Sequence, residues 1–332
     1  MTQLSDRVVA RLRTEMQVPD LEGTRYSIVR HLARGGMGSV WLAEDSVLKR
    51  RVALKVLDLV APADDLGARL LQEARILAGL EHRGIVPVHD AGTLADGRAF
   101  YCMKYVEGQT LAQHIDAKTI QEKLRLMERI AEPVDFAHAH GVIHRDLKPE
   151  NIMIGAFGEV LVMDWGLAKV GAAGLRLAEN EVTSIVPLTA NPSNVTSQGS
   201  VLGTPGYMSP EQARGGSIEL DRRTDIFSLG AILAFMLTGS VRREVLAVNK
   251  SVPRPLRAIC EKAMAEDPDA RYQSAGEMTS DIECYLNGAP VLAYSEGLFE
   301  RAARIYARHR TAIVLVAAYL LMRVLFILLA RR

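Results

Sequence analysis

The sequence predicts an α+β chain in which a small, sheet-rich part precedes a larger, mainly helical one, with an apolar helix near the C-terminus. Short apolar runs separated by Gly-rich or charged turns fill the first hundred residues, as strands do. From Leu111 onward apolar residues recur at helical spacing, and Thr311 to Ala330 is apolar except for Arg323. At 332 residues the chain is long enough to bury a core without staples.

Taken in order, residues 3–17 read as a short amphipathic helix, and Tyr26 to Leu32, Val40 to Glu44 and Val52 to Leu57 as three strands. Leu66 to Leu80 follows as a helix, with Leu70, Ala74 and Leu77 along one stripe and Glu73 beside it. Val86 to His89 and Phe100 to Met103 supply two more strands. Ile120 to His140, Asp225 to Leu237, Pro253 to Ala265 and Tyr272 to Leu286 carry the spacing of helices. Asp225 to Leu237 is apolar nearly all round yet too short to cross a membrane, so it reads as a buried core helix. Residues 170–200 turn from Gly and Ala to Ser, Thr and Asn without sustained period, the pattern of a long mobile loop.

Composition removes several classes of function. The 40 basic and 39 acidic residues leave a net charge of +1, too little to recruit nucleic acid through a bulk field. Cys102, Cys260 and Cys284 are odd in number and widely spaced, as reduced core cysteines of a cytosolic domain are. Met1 to Glu22 is charged and amphipathic and lacks the apolar run of a secretion signal, so the body is not expected to be exported by this route.

Residues 311–330 are expected to form a transmembrane helix, since about 20 apolar residues cross a bilayer. Arg323 opposes that reading but lies near one end, where its side chain can snorkel; the alternative is a buried or docking helix. Arg301, Arg304, Arg308 and Arg310 precede the span while only Arg331 and Arg332 follow it, which places the body on the cytoplasmic side. With almost no chain beyond the span, a signal is expected to arrive through this helix, the N-terminal segment or a partner.

The chemistry is concentrated in His144-Arg145-Asp146-Leu147-Lys148-Pro149-Glu150-Asn151 and in Asp164-Trp165-Gly166. A carboxylate to orient a hydroxyl, an ammonium to balance phosphate charge, and an amide with a second carboxylate to hold magnesium lie in one span, the set phosphoryl transfer needs. Asp146 would take the first role and Lys148 the second, while Asn151 and Asp164 would ligate the metal, because hard divalent cations prefer oxygen. Upstream, Ala33-Arg34-Gly35-Gly36-Met37-Gly38-Ser39-Val40 lies between two strands, where glycines let backbone amides approach phosphate. By itself such a loop is a turn. Lys55 follows in Val52-Ala53-Leu54-Lys55, and a lysine among apolar strand neighbours needs an anion, which Glu73 could supply. Alone, that would be an ordinary surface pair of little value; the order of loop, lysine and glutamate gives it weight.

These motifs resemble the eukaryotic-type serine/threonine protein kinases of the bacterial, membrane-tethered sort, over about Tyr26 to Leu286. Gly203-Thr204-Pro205-Gly206-Tyr207-Met208-Ser209-Pro210-Glu211 resembles the end of that family's activation segment, and Asp225 in Asp-Ile-Phe-Ser-Leu-Gly and Arg271 extend the match. The resemblance implies a bilobal fold: an N-terminal extension (1–25), a kinase domain (26–288) with a mainly antiparallel β N-lobe (26–105) and a helical C-lobe (106–288), a basic juxtamembrane segment (289–310) and the membrane helix (311–330). It implies ATP as cofactor, with Mg²⁺ or in its place Mn²⁺, and protein substrates with Ser or Thr acceptors in signal transduction. A homodimer that autophosphorylates in trans is a further partner it allows.

Residue by residue, the resemblance makes Asp146 the catalytic base, helped by Lys148. It assigns ATP contacts to residues 33–38, that is Ala33, Arg34, Gly35, Gly36, Met37 and Gly38, and to Val40, Ala53, Lys55 and Glu73. Met103 becomes the gatekeeper, with Lys104 to Val106 as the hinge along adenine. Thr204 would favour Ser or Thr acceptors, and Glu211 would pair with Arg271. Arg145 is the residue that meets activation-loop phosphate in relatives; Thr183, Ser184, Thr189, Ser193, Thr196, Ser197 and Ser200 are candidate phosphoacceptors.

Four departures stand out: Ala33 for the first glycine, Trp165 for the usual phenylalanine, a long segment from Asp164 to Glu211, and a short polar stretch after Gly239 where relatives place a helix. The main reading is a non-specific serine/threonine protein kinase. The alternatives are a catalytically silent kinase-fold scaffold or ATP-binding module, and a kinase acting on small molecules. The complete catalytic set opposes the first, and the segment ending at Glu211 opposes the second.

Overall fold

Three successive strands, β1 (Tyr26–Arg34), β2 (Gly38–Asp45) and β3 (Arg50–Leu57), form an antiparallel meander because turn residues separate runs of strand-forming side chains. The computed structural model describes residues 18–35, 38–58, 66–115, 118–165, 206–214 and 220–330. The expected helix over 3–17 and the expected loop over 170–200 lie outside them. With β4 (Val88–Thr93) and β5 (Ala99–Lys104) the meander becomes a five-stranded antiparallel sheet in the order β1-β2-β3-β5-β4.

The central strand β3 is covered on both faces, and its two-residue period sorts its side chains between two cores. Val52, Leu54 and Val56 join Tyr26, Trp41, Phe100 and Cys102 on one side. Ala53 and Leu57 join Leu70, Ala74, Tyr101 and Met103 on the other. Lys55 shares the parity of Ala53 and Leu57, so the strand itself aims it at α1 (Leu66–Gly79). That helix buries Leu70, Ala74 and Leu77 as the sequence predicts, but Glu73 is not beside the stripe: it is 2% exposed and sits within it. Its partners, Lys55 and Tyr101, are what make that burial tolerable. The strand expected over Val86 to His89 instead begins at Val88, because Pro87 has no N–H for a ladder.

The second part opens with β6 (Gly108–Thr110), α2 (Leu111–His114) and α3 (Ile120–Ala139), then β7 (Ile152–Gly155) and β8 (Val160–Val162); β7 is central in a small antiparallel sheet, paired with β6 on one side and β8 on the other. Thr119 and Glu122 close a reciprocal cap at the start of α3. After α4 (Pro210–Arg214) comes α5 (Arg222–Thr238), started by the Asp221 side chain on the Arg223 amide and stopped by Gly239 in the left-handed region (φ 73°). As predicted, α5 is buried all round: Ile226, Leu229, Ile232, Leu233 and Met236 show no exposure, and they join α3, α7 (Arg254–Ala263) and α8 (Ala275–Leu286) in the main core.

The short stretch after Gly239 is not purely polar loop. It contains α6 (Arg243–Val248), anchored by the buried Leu246. Six residues are too few for a readable helical period, which is why the sequence reading missed it. The chain ends in α9 (Leu298–Ala330), a continuous helix across the boundary expected at 310. Beyond Ala302 only some of its side chains are described, and among the described residues no helix is long and apolar enough to cross a membrane.

Candidate active site

Asp225, the fourth residue of α5, fixes the loop that begins at His144. It shows no exposure, and its carboxylate accepts from the backbone N–H of His144 (2.7 Å) and of Arg145 (2.8 Å) and meets His138 Nε2 at 2.8 Å. Burial alone would raise this carboxyl, but the His138 and His144 contacts outweigh it and hold the pKa below the ordinary value. Arg145 is thereby kept at φ 66°, a left-handed conformation that costs a non-glycine residue about 1–2 kcal/mol.

His144 links this loop to the strand before Asp164. Burial lowers its pKa, so it is neutral: Nε2–H donates to the Met163 carbonyl (2.9 Å) and Nδ1 accepts from the Asp146 amide (3.2 Å). Its ring packs on Trp165, which shows no exposure, at 4.8 Å between centroids. The larger ring at position 165 is therefore accommodated as a packing element beneath the site. Asp164 itself sits at φ 53°, the second strained residue of the cluster.

On the loop, Lys148 Nζ donates to Asp146 Oδ2 (3.1 Å), and Asn151 Nδ2 donates to the Asp146 carbonyl (2.8 Å). With Nδ2 so committed, the Asn151 amide oxygen is the atom directed to other partners. Across the cleft Lys55 Nζ lies 3.2 Å from Glu73 Oε1 and 3.3 Å from Asp164 Oδ1. Burial alone would lower the Lys55 ammonium, but Tyr101, Asp164 and Glu73 together hold it well above the ordinary lysine value. Glu73 is raised by burial despite Lys55, and its Oε1 also accepts the Tyr101 hydroxyl (3.2 Å). The expected pair is thus part of a network with two carboxylates, Glu73 buried and Asp164 open to the cleft, and not a surface pair.

Most of the apolar residues expected around a nucleotide fall in one cluster. Val40, Ala53, Met103 and Val106 meet there, joined by Leu32, Met153 and Leu161. The Lys104 amide is committed to the Pro87 carbonyl (3.0 Å), while its side chain points outward. Ala33 and Arg34 end β1 on the exposed rim, and the Gly35 amide donates to the Gly38 carbonyl (2.8 Å), closing the turn. At Gly38 a Cβ would stand 2.3 Å from the Val56 carbonyl oxygen, so only glycine lets the strands approach here. Gly36 and Met37 lie outside the described residues, as do Thr196, Ser197, Ser200, Thr204 and the other candidate phosphoacceptors.

The family of the protein kinase domain matches residues 26–282. The chain belongs to this family. It is 36% identical over 300 residues to the serine/threonine-protein kinase PknD of Chlamydia felis, covering 80% of this chain and 31% of that protein. It is 37% identical over 301 residues to PknD of Protochlamydia amoebophila, covering 79% and 30%. The chain therefore spans about a third of the length of these relatives. The crystal structure of the PknI kinase domain of Mycobacterium tuberculosis superposes with a TM-score of 0.57 at 25% identity, covering 78% of this chain and 95% of that one.

In kinase terms the described residues form an antiparallel N-lobe sheet over a helical C-lobe, with the cleft residues above between them. Glu211 and Arg271 make the expected pair, bidentate at 2.7 and 2.8 Å, and Arg271 also donates to the Arg223, Ala265 and Glu266 carbonyls. Sequence reasoning missed Tyr101 and His138. Tyr101 is the direct cross-strand neighbour of Lys55, a signal legible only once the β3–β5 register is known. His138 has no local signal, because its partner lies 87 residues away.

The Glu211 carboxyl yields a prediction on pH. Burial would raise it, but Arg271 outweighs burial and lowers it from 4.5 to about 2. Its stabilising contribution is complete above pH 4.5 and is lost as pH falls toward 2, by about 3 kcal/mol for such a depression. Denaturant unfolding at pH 5 and at pH 2.5 should show a much smaller acid loss in Glu211→Gln than in the parent. Parallel losses in the two proteins would refute the assignment.

Proposed function

We propose that this chain is an ATP-dependent serine/threonine protein kinase of signal transduction. The observation that carries the reading is the position of Lys55 between Glu73 and Asp164, facing a loop on which Asp146, Lys148 and Asn151 are already in mutual contact. A scaffold has no need of three buried or half-buried charges held in that relation, which cost desolvation.

In this reading Lys55 holds the α and β phosphates, and its raised pKa keeps it charged for that task. Asp146 orients and accepts the proton of the attacking hydroxyl, and Lys148, bonded to it, neutralises charge on the transferring group. The donor set fits a hard cation: the Asp164 carboxylate, 38% exposed in the cleft, and the Asn151 amide oxygen would hold Mg²⁺ or Mn²⁺. When bound, that ion offsets phosphate charge. Adenine would lie among Val40, Ala53, Met103 and Val106, with the carbonyl of Lys104 and the amide of Val106 along its edge. Serine or threonine as acceptor follows the names of the chlamydial relatives. Arg145 Nε is buried without a hydrogen-bond partner among the described residues, which supports a phosphate on the activation segment as its counterpart.

Attachment to the inner face of a membrane is part of the proposal. It is supported by the apolar sequence 311–330 and by α9, where the described large side chains from Val314 to Leu329 are more than half exposed, too apolar to be left in water.

The full chain with Mg²⁺ and labelled ATP should transfer phosphate to serine or threonine of a protein acceptor, and Asp164→Ala should lower the rate about 100-fold or more. ATP binding without transfer by the parent would favour the scaffold. Separately, deleting residues 311–332 should move the protein from the membrane to the soluble fraction; an unchanged distribution would remove the anchor from the proposal.

A further inference from the structure

Both arms of the glycine-rich turn are tied to one carboxylate that the catalytic set leaves out. Asp58, the first residue after β3, accepts the Ser39 hydroxyl at 2.6 Å through Oδ1 and meets Arg34 Nε at 3.1 Å through Oδ2. Arg34 closes β1 and Ser39 is the second residue of β2, so the two contacts straddle the turn. Asp58 stands three residues beyond Lys55 on the same chain direction.

The two contacts differ in strength. Ser39 is 4% exposed, and a short hydroxyl-to-carboxylate bond out of water is of the charge-assisted kind. Arg34 is 54% exposed, so its ion pair is weak and screened. The glycines between them supply little rigidity of their own, because they lose more conformational freedom than any other residue when fixed. Backbone amides bind phosphate well only if they are held in place beforehand. We infer that Asp58 is a positioning residue for the nucleotide: it sets the height and tilt of the turn over the phosphates by holding Ser39 and Arg34 to the end of the strand that carries Lys55. This rests on the kinase reading and deepens it.

Charge and position make opposite demands at Asp58, which renders the inference testable. Removing a negative charge near a triphosphate, by itself, tightens ATP binding. Removing the tether loosens it. Asp58→Ala should therefore raise KM for ATP about ten-fold, the equivalent of one charge-assisted hydrogen bond, and leave KM for the protein acceptor unchanged. Ser39→Ala should raise KM for ATP comparably, and the double variant should be no worse than Asp58→Ala alone. Asp58→Asn, which keeps an acceptor for Ser39 but loses the ion pair, should fall close to the parent. All four are to be made in the full chain, with thermal unfolding in the absence of nucleotide as the check on folding; a variant that loses stability without change in KM for ATP would mark a purely structural role and overturn the inference. Lower KM in both Asp58 variants would overturn it in favour of simple charge repulsion. If the parent transfers no phosphate, ATP dissociation constants from calorimetry replace KM, with the same ordering expected, so that failure of the kinase reading is told apart from failure of the tether.

Discussion

A single ionised carboxylate under the catalytic loop is the constraint on which the rest of the site depends. Asp225 lies in a helix whose other faces are apolar, and desolvating a charge there costs several kcal/mol. Two backbone amides and a histidine offset that cost, and they belong to the chemistry-bearing loop and the helix before it. Charge-assisted bonds of this kind contribute about 1.5–3 kcal/mol each, enough together to hold Arg145 in an unfavourable backbone conformation. The position of Asp146 thus follows from α5, a core helix far away in sequence.

The other half of the cleft is set by strand parity. Because β3 is central and covered on both faces, the Lys55 side chain, only 19% exposed, leaves its strand among buried neighbours and meets charge inside the cleft. Glu73 and Asp164 supply it from a helix and from the loop after β8, so the ammonium joins three elements. His144 makes the cross-connection, since one ring nitrogen serves the Asp146 amide and the other the Met163 carbonyl beside Asp164. Asp146 and Asp164, the proposed base and metal ligand, are in this way linked through a common neutral imidazole.

Much of this was legible in the sequence. The loop from His144 to Asn151, Lys55, Glu73 and Asp164 announce themselves through residue type and order, the Glu211–Arg271 pair through the family resemblance alone, and the strands and long helices through their period. What was not legible depends on contacts between distant segments. Glu73 reads as flanking its stripe until Tyr101 and Lys55 arrive across the sheet. His138 and Asp58 look like ordinary polar residues at the edges of elements. Helix α6 is shorter than two turns, so one buried leucine, not a pattern, defines it.

In the proposed kinase, Asp225 acts on phosphoryl transfer through the loop it holds and not through the nucleotide pocket. Steady-state kinetics of Asp225→Asn in the full chain test this most directly, because asparagine keeps one acceptor but loses the charge and a second one. A fall in kcat of about 10-fold or more, with KM for ATP nearly unchanged, is expected. An unchanged kcat, or a loss confined to KM for ATP, would contradict it.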